Sequence, residues 1–378
     1  MRKPRLMTPG PAPVPEDVLL AMARPLIHHR SDEAKAWNDE VVAGLKYVFQ
    51  TEHDVLILTA SGTGAMEAAV VNTVPKGGKA IVLDAGWFAS RWGVIARTFG
   101  IEVVTVATEW GRPVDPGAVA RALADHPDAH AVFGTLSETS TGTGHPIAAI
   151  GRVVADSPAL FVVDGISGVG AMECRTDAWG VDVLCVGSQK ALMLPPGLAF
   201  VAVSPKAWVR IDAFDSPSYY FNLKAARASA ADSLTPYTPA HTLIAGLRVA
   251  LDRIRAEGIE QVWARHDRMG RACRAGVEAL GLGLFSGRPA EGMTVFRVPE
   301  GLADGAIRAG LRDRFGITTI GGQAKLKGQV VRIGHMGYLD EVDVVGGLAA
   351  LELVLHDLGH PVEPGAAVAA AQRALFAS

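Results

Sequence analysis

A lysine and an aspartate each stand at the end of an apolar run with the composition of a buried strand. Lys190 follows Gly187-Ser188-Gln189, directly after the apolar segment 181–186. Asp164 ends the earlier apolar run 160–163. Pyridoxal 5'-phosphate (PLP) needs an amine for a Schiff base and a carboxylate for its pyridinium nitrogen. The two residues therefore predict a PLP site.

Each of the two residues also has an ordinary interpretation. A strand-end aspartate such as Asp164 often only caps a turn, and most lysines are solvated surface charges. Lys190, however, precedes the largely apolar segment 191–197, so it has few routes to bulk water. Desolvation lowers the pKa of an amine and makes it a nucleophile and proton carrier. A carboxylate at Asp164 would keep the cofactor ring protonated, so that the ring can accept electrons.

A short polar loop supplies a candidate phosphate site. Ser61-Gly62-Thr63-Gly64 lies between the apolar run 55–59 and a predicted helix that begins at Ala65. Small residues there let the N–H groups of a helix N-terminus approach a phosphate, and the two hydroxyls can donate further hydrogen bonds. The alternative is a plain strand-to-helix turn. A dinucleotide fingerprint fits poorly, because Glu67 occupies its third glycine position and would oppose a pyrophosphate.

Apolar runs alternate with stretches of helix length through the first half of the chain. Their hydrophobicity is continuous, which indicates strands buried on both faces and a mainly parallel sheet covered by helices. Ligands of such sheets bind beyond the carboxyl ends of the strands, where Lys190 and Asp164 stand. Seven runs are predicted as strands: 55–59, 80–83, 103–106, 131–135, 160–163, 181–186 and 198–203.

The predicted organisation is α/β, with a large domain and a smaller α+β domain. We expect an N-terminal arm at 1–20, a large PLP-binding domain at 21–257 and a small C-terminal domain at 258–378. Predicted helices cover 31–50, 65–72, 88–99, 116–125, 146–156, 259–280, 303–315 and 340–356, and predicted strands of the small domain cover 294–298 and 330–333.

Composition excludes several classes of protein. The 378 residues carry 36 basic and 39 acidic side chains without a long block of one sign, so neither nucleic acid nor a membrane surface is an expected partner. The three cysteines are far apart, which disfavours a disulfide framework or a zinc site and fits a reducing cytoplasm. The segment 8–15 is proline-rich where a secretory peptide needs an apolar helix. We expect a soluble cytoplasmic protein without a metal.

Several motifs together resemble the class V aminotransferases of fold type I, in the alanine-glyoxylate and serine-pyruvate branch. The resemblance covers nearly the whole chain. Its motifs are Thr8-Pro9-Gly10-Pro11, Tyr47-Val48-Phe49-Gln50-Thr51, Ser61-Gly62-Thr63-Gly64, Glu138-Thr139-Ser140-Thr141-Gly142, Val163-Asp164, Gly187-Ser188-Gln189-Lys190-Ala191, Pro195-Pro196-Gly197 and Val331-Arg332-Ile333-Gly334. The fourth and sixth of these are the most specific.

The resemblance implies a role for each matching residue around the cofactor. Lys190 would form the Schiff base and Asp164 would pair with the ring nitrogen. Thr139 would hydrogen-bond near the ring hydroxyl, and Phe88 would stack on the ring, with Trp87 as the competing candidate. The phosphate would be held by Ser61, Gly62, Thr63 and Gln189, together with Thr235 and Thr238 of a neighbouring subunit. The resemblance thus implies a homodimer with its active site at the subunit interface.

Arg332 matches the arginine that binds the substrate carboxylate in this family, and its planar fork suits bidentate binding. The alternative is a strand-end arginine in a surface ion pair. Four further residues are interpreted as structural, with an approach to the site, as in related enzymes, as the alternative: His28, His29, Tyr219 and Tyr220.

The implied activity is PLP-dependent transamination from a small donor, alanine or serine, to glyoxylate or pyruvate. Other donors on similar frames are ureidoglycine and 2-aminoethylphosphonate. A cysteine desulfurase is disfavoured, because no cysteine follows Cys273 to serve as the sulfur acceptor ahead of Arg332. A non-catalytic accessory subunit is a further alternative, which the retained Lys190, Asp164 and Arg332 disfavour.

Overall fold

The computed structural model describes residues 3–377. In this part of the chain the helices are α1 (Glu16–Met22), α2 (Asp32–Phe49), α3 (Gly62–Thr73), α4 (Ala89–Thr98), α5 (Pro116–Asp125), α6 (Ile147–Ala155), α7 (Pro205–Asp212), α8 (Leu223–Ala230), α9 (His241–Glu257), α10 (Ile259–Ala279), α11 (Asp304–Phe315), α12 (Glu341–Asp357) and α13 (Ala366–Phe376). The strands are β1 (Arg5–Leu6), β2 (Asp54–Leu58), β3 (Lys79–Asp84), β4 (Glu102–Ala107), β5 (Ala131–Thr135), β6 (Ser137–Glu138), β7 (Thr143–Gly144), β8 (Leu160–Asp164), β9 (Val183–Gly187), β10 (Ala199–Val203), β11 (Met293–Arg297), β12 (Ile317–Thr318), β13 (Ile320–Gly321) and β14 (Val330–Gly334).

The central sheet has seven strands in the order β2-β10-β9-β8-β5-β3-β4. Neighbouring strands run parallel from β9 to β4, whereas β10 runs antiparallel to both β9 and β2. The prediction of a mainly parallel seven-stranded sheet is confirmed. Six strands consequently point their carboxyl ends toward the same edge.

Burial follows position in the sheet. Every residue of β5, β8, β9 and β10 is buried, as continuous apolar sequence predicts for strands with helices on both faces. The same prediction is wrong for β4, a strand at one edge of the sheet whose residues are exposed or half-buried, although β2 at the other edge is buried except at Asp54. An apolar run alone does not distinguish an edge strand from a central one.

Helix ends follow the local capping chemistry. The side chain of Ser31 accepts a hydrogen bond from the N–H of Ala34 at the start of α2, and Gln50 ends that helix in the left-handed conformation. The predicted bounds of this helix are therefore confirmed to within a residue. The helix after the phosphate loop begins at Gly62 rather than at the predicted Ala65. The glycines of the loop thus belong to the first helical turn.

The C-terminal part of the chain has a sheet of its own, in the order β11-β14-β13, which packs with helices α10 to α13 around a separate hydrophobic cluster. The N-terminal arm joins this part, because β1 pairs with β12 and Met7 lies in the same cluster. Helix α10 begins after Gly258, whose φ is 88°. Its first turn, with Ile259 and Val262, still packs in the core beneath the central sheet.

Among residues 3–377 no helix is both long and apolar enough to cross a membrane. All three cysteines are free and buried.

Two helical glycines differ in the space around them. A Cβ on Gly151 in α6 would lie 1.8 Å from the backbone oxygen of Trp179, whereas nothing lies within 4 Å of a Cβ on Gly346 in α12. We therefore expect Gly151→Ala to lower the free energy of unfolding by about 2 kcal/mol or more, because backbone must move. Gly346→Ala should raise it by about 0.5–1 kcal/mol through helix propensity. Urea unfolding midpoints measure both effects, and equal midpoints would contradict this description of the packing.

Candidate active site

Two neighbouring parallel strands bring Lys190 and Asp164 to one edge of the sheet. Asp164 is the last residue of β8 and pairs in register with Cys185 of β9. Strand β9 ends at Gly187, three residues before Lys190. The predicted carboxylate and amine therefore lie on adjacent strand ends, as a ligand site of a parallel sheet requires.

The Lys190 side chain is held against the N-terminal arm. Its Nζ donates a hydrogen bond of 2.5 Å to the backbone oxygen of Pro9. Gly10 leaves room for it, since a Cβ at that position would lie 2.2 Å from Nζ. Burial lowers the pKa of Lys190 to about 8; the carboxylate of Asp164 raises it and the charge of Arg332 lowers it further. A substantial fraction of the amine is therefore neutral near physiological pH.

Asp164 is almost fully buried, with 5% of its surface exposed. Its Oδ1 accepts a hydrogen bond of 2.8 Å from the N–H of Ile166. Burial raises the pKa of Asp164 to about 7, and the charge of Glu138 raises it too, while the Ile166 N–H, Lys190 and Arg91 act in the opposite direction. A cationic ring nitrogen beside this carboxyl would stabilise its ionised form.

The loop at 61–63 has hydrogen-bond donors that no residue within 3–377 uses. Ser61 precedes α3 with an exposed side chain that makes no capping bond. The N–H groups of Gly62 and Thr63 lie in the first turn of α3, where no earlier helical carbonyl is available to them. Gly62 packs so closely on Ile166 that a Cβ would lie 2.5 Å from the Ile166 Cδ1. This arrangement fits a phosphate at a helix N-terminus.

Gln189 points a buried amide into the same region. Within residues 3–377 its Oε1 has no hydrogen-bond partner. The oxygen packs against Gly187, where a Cβ would lie 3.2 Å from it. A buried amide without a partner costs free energy unless a ligand satisfies it. Since the two ends of an amide can exchange places, the side chain suits a phosphate oxygen.

Arg91 reaches the phosphate loop and was missed by the sequence reasoning. Its Nη1 donates a hydrogen bond of 2.8 Å to the Oγ1 of Thr63. Its guanidinium also lies 4.9 Å from the centre of the Phe88 ring. The spacing of three residues between Phe88 and Arg91 at the start of α4 was the available signal. Phe88 is half-buried there, whereas 43% of the Trp87 surface is exposed.

Thr139 and Arg332 are linked on the other side of the site. The Oγ1 of Thr139 donates to the Oγ of Ser167 over 2.6 Å, and its backbone oxygen accepts from the Nη1 of Arg332 over 3.0 Å. The Nε of Arg332 donates to the backbone oxygen of Gly321 over 2.9 Å. Burial lowers the pKa of Arg332 to about 10, and the charge of Glu138 raises it. Ser167, whose sequence context carries no signal, is the second residue that was missed.

The remaining predicted residues do not join this cluster within the described chain. Thr235 donates to the backbone oxygen of Tyr237, and neither it nor the exposed Thr238 hydrogen-bonds to residues 61–63. Tyr220 stacks on Tyr237 with ring centres 4.9 Å apart. The other predicted residues pair locally: His28 with His29, and Tyr219 with Tyr237.

Comparison with known proteins decides the family. Residues 6–344 match the family Aminotransferase class-V. The chain belongs to this family. Its cofactor is PLP, and the predicted family and fold are confirmed.

Three similar proteins have different names. The chain is 42% identical to the soluble hydrogenase small subunit of Synechococcus sp., over 99% of this chain and 98% of that protein. It is 38% identical to an L-aspartate–glyoxylate aminotransferase of Paracoccus denitrificans, over 97% of this chain and 95% of that protein. It is 37% identical to a serine–glyoxylate aminotransferase of Hyphomicrobium methylovorum, over 97% of this chain and 93% of that protein.

Two solved structures share the architecture along the whole chain. Pyridoxamine-pyruvate aminotransferase from Mesorhizobium loti superposes with a TM-score of 0.95 at 28% identity, covering 100% of both chains. Ureidoglycine-glyoxylate aminotransferase from Bacillus subtilis superposes with a TM-score of 0.94 at 28% identity, covering 100% of this chain and 99% of that one. The chain is therefore a fold type I aminotransferase.

The lowered pKa of Lys190 predicts how fast the cofactor-free protein captures PLP at different pH values. Because only the neutral amine attacks an aldehyde, the rate should rise about tenfold per pH unit below pH 8 and level off above it. Stopped-flow visible absorbance measures this rate, and Lys190→Ala is the blank. A rate that keeps rising to the ordinary lysine pKa of 10.5 would contradict the desolvated amine.

Proposed function

We propose that this aminotransferase moves the amino group of a small donor, alanine or serine, to a 2-oxo acid, glyoxylate or pyruvate. The observation that carries the proposal is the buried Arg332, which donates a hydrogen bond of 3.0 Å to the backbone oxygen of Thr139 and whose charge lowers the pKa of Lys190. An amino acid whose carboxylate is bound at Arg332 would present its amino end toward the cofactor aldehyde on the Lys190 side.

The residues around the strand ends suit the parts of PLP. Lys190 would bind the aldehyde carbon, Asp164 the ring nitrogen, and Thr139 the ring hydroxyl side. Phe88, rather than the exposed Trp87, would cover one face of the ring. Ser61, Gly62, Thr63 and Gln189 would hold the phosphate, since within residues 3–377 the Ser61 side chain makes no capping bond and the Gln189 amide oxygen has no hydrogen-bond partner. When bound, PLP withdraws electrons from the substrate's α-carbon.

The Nζ of Lys190 is suited to carry the proton that transamination must move between two carbons. Its pKa of about 8 lets it accept and release a proton near neutral pH. Asp164, which is buried, would pair with the ring nitrogen and support the ring's positive charge. The two residues thus divide proton transfer and charge stabilisation between them.

The free edge of Arg332 fits an α-carboxylate. Its Nε and Nη1 already donate to backbone oxygens of Gly321 and Thr139, while within residues 3–377 no hydrogen bond uses Nη2. The side of Nη1 facing Gln323 is only weakly used, at 3.4 Å. A carboxylate can therefore bind end-on across Nη1 and Nη2 as a charge-assisted pair.

The position of the site's second arginine favours a donor with a small uncharged side chain. Arg91 is engaged with Thr63 in the phosphate loop, so we place it with the cofactor and not with the donor. An aspartate donor would need a cation for its second carboxylate. The L-aspartate–glyoxylate relative makes aspartate the competing donor, while the Bacillus structure makes ureidoglycine another; 2-aminoethylphosphonate stays an alternative from the sequence.

We also propose a homodimer in the cytoplasm, in which Thr235 and Thr238 complete the phosphate site of the partner subunit. In their own chain these threonines make no hydrogen bond to 61–63. The adjoining surface carries Tyr219, 83% exposed, beside the half-exposed Tyr220, and exposed aromatic clusters are typical of interfaces. Free buried cysteines are typical of reducing compartments.

An accessory subunit without catalysis is the second candidate, because the Synechococcus relative bears a hydrogenase subunit's name. The full set of Lys190, Asp164 and Arg332 favours catalysis. Turnover decides between the two.

Donor choice is measured by the first half-reaction, in which the amino donor converts the bound aldehyde into an amine. We expect L-serine or L-alanine to bleach the visible band at least ten times faster than L-aspartate. Arg91 is engaged with Thr63, so only Arg332 is left to bind a substrate carboxylate. Glyoxylate or pyruvate should restore the band. A faster reaction with L-aspartate would overturn the donor assignment, and no bleaching by any amino acid would favour the accessory subunit.

A matched pair of variants tests the role of Arg332 in the same assay. Arg332→Lys should lower kcat/KM for the donor about 100-fold, mainly through KM, because an ammonium keeps the charge but cannot form the two parallel bonds of the guanidinium, a loss of about 2–3 kcal/mol. Arg297→Lys, at the exposed end of β11, should leave it unchanged. Equal values for the two variants would contradict the assignment.

A further inference from the structure

Glu138 is a completely buried carboxylate, with 0% of its surface exposed, that none of the roles above uses. It ends strand β6, between the phosphate-loop side of the site and the Arg332 side. Burying a charge is costly unless donors surround it. Its contacts therefore indicate what the carboxylate is there to hold.

Both oxygens of Glu138 accept hydrogen bonds from neighbouring N–H and O–H groups. Oε2 accepts from the N–H of Ala89 over 2.8 Å and from that of Phe88 over 3.1 Å. Oε1 accepts from the N–H of Ser140 over 2.9 Å and from its hydroxyl over 2.6 Å. The Ser140 hydroxyl in turn accepts from the N–H of Trp87 over 3.1 Å.

Helix α4 receives its N-terminal cap from this carboxylate. Phe88, the residue before the helix, makes no capping bond with its own side chain. A negative charge at a helix N-terminus stabilises the free N–H groups and the helix dipole. Gly86 makes the approach possible, because a Cβ there would lie 2.3 Å from the Glu138 Cδ.

The segments on both sides of Glu138 lead to the cofactor site. The capped turn carries Phe88 and Arg91, and Arg91 reaches Thr63 of the phosphate loop. On the other side, Thr139 bonds to Ser167 and to Arg332. One buried carboxylate thus connects the candidate ring-stacking group with the candidate carboxylate-binding group.

We propose that Glu138 is a positioning residue that fixes the Phe88 turn and the Thr139 segment in the geometry that binds PLP. The inference rests on the proposed function of Phe88 and Thr139 and adds to it the group that holds them. Within the described residues every hydrogen bond to the Glu138 side chain comes from a donor, so a carboxylate fits where an amide does not. In Glu138→Gln one end of the side chain becomes an NH₂ group that faces N–H or O–H groups.

The test compares two buried carboxylates that cap helices. Glu352, in the C-terminal part of the chain, accepts hydrogen bonds at the start of α13. The N–H of Gly365 donates to it over 2.6 Å and the N–H of Ala367 over 3.0 Å. Glu138→Gln and Glu352→Gln therefore remove the same chemistry at two places. For each full-length variant we would measure the urea midpoint without cofactor, the equilibrium Kd for PLP and the visible circular dichroism of bound PLP.

We expect both variants to unfold at lower urea concentration than the wild type. Only Glu138→Gln should raise the Kd for PLP, by about tenfold or more, and weaken the visible dichroism that reports ring orientation. Glu138→Asp should recover part of the affinity. Wild-type affinity and dichroism in a folded Glu138→Gln protein, or equal losses in Glu352→Gln, would overturn the proposal.

Ser140→Ala is the milder variant if Glu138→Gln does not fold. It removes the hydroxyl that binds both Glu138 and the Trp87 N–H but retains the carboxylate. A Kd raised about threefold or more would agree with the proposal, and an unchanged Kd would contradict it. Wild-type protein that binds PLP but transfers no amino group would refute the proposed function alone, so the two failures are distinguishable.

Discussion

The parallel pairing of β8 with β9 is the constraint on which the site depends. It puts a carboxylate and an amine on adjacent strand ends, where Asp164 is buried and Lys190 is half-buried. Burial destabilises the charged form of each group, so the pKa of Asp164 rises to about 7 and that of Lys190 falls to about 8. The sheet thereby produces an amine that is partly neutral, and so nucleophilic, near neutral pH. It also produces a carboxyl group whose ionised form a cationic partner would stabilise.

The N-terminal arm links the amine at this site to the C-terminal part of the chain. Its Pro9 oxygen accepts the hydrogen bond of Lys190, while the Met7 oxygen accepts one from the N–H of Gly334. The arm packs so closely on β14 that a Cβ on Gly334 would lie 2.1 Å from the Thr8 oxygen. Since Arg332 is on the same strand, the arm connects the amine with the arginine that we propose binds the substrate. This connection explains why a short, proline-rich segment must be ordered.

The sequence predicted the elements that depend on local chemistry. Helix α5 spans 116–125 as expected, and β8 and β9 end at Asp164 and Gly187, each one residue after the predicted apolar run. The residues that it did not predict act through tertiary contacts. The sequence does not indicate the Glu138–Phe88, Arg91–Thr63 and Ser167–Thr139 hydrogen bonds, because the partners are 28 to 50 positions apart in the chain. The exposure of β4 was missed because strand order in a sheet is not a local property. The domain boundaries and the completion of the site by a second subunit stay proposals.

The most direct test of the central claim is to locate the lysine that binds the cofactor. PLP bound to the full-length protein can be fixed by borohydride reduction, which converts a Schiff base into a stable amine link, and the modified peptide can be identified by mass spectrometry. We predict a single modified residue, Lys190, in proportion to the bound cofactor. Stoichiometric labelling of another lysine, or folded protein that retains PLP without any reducible link, would contradict the account.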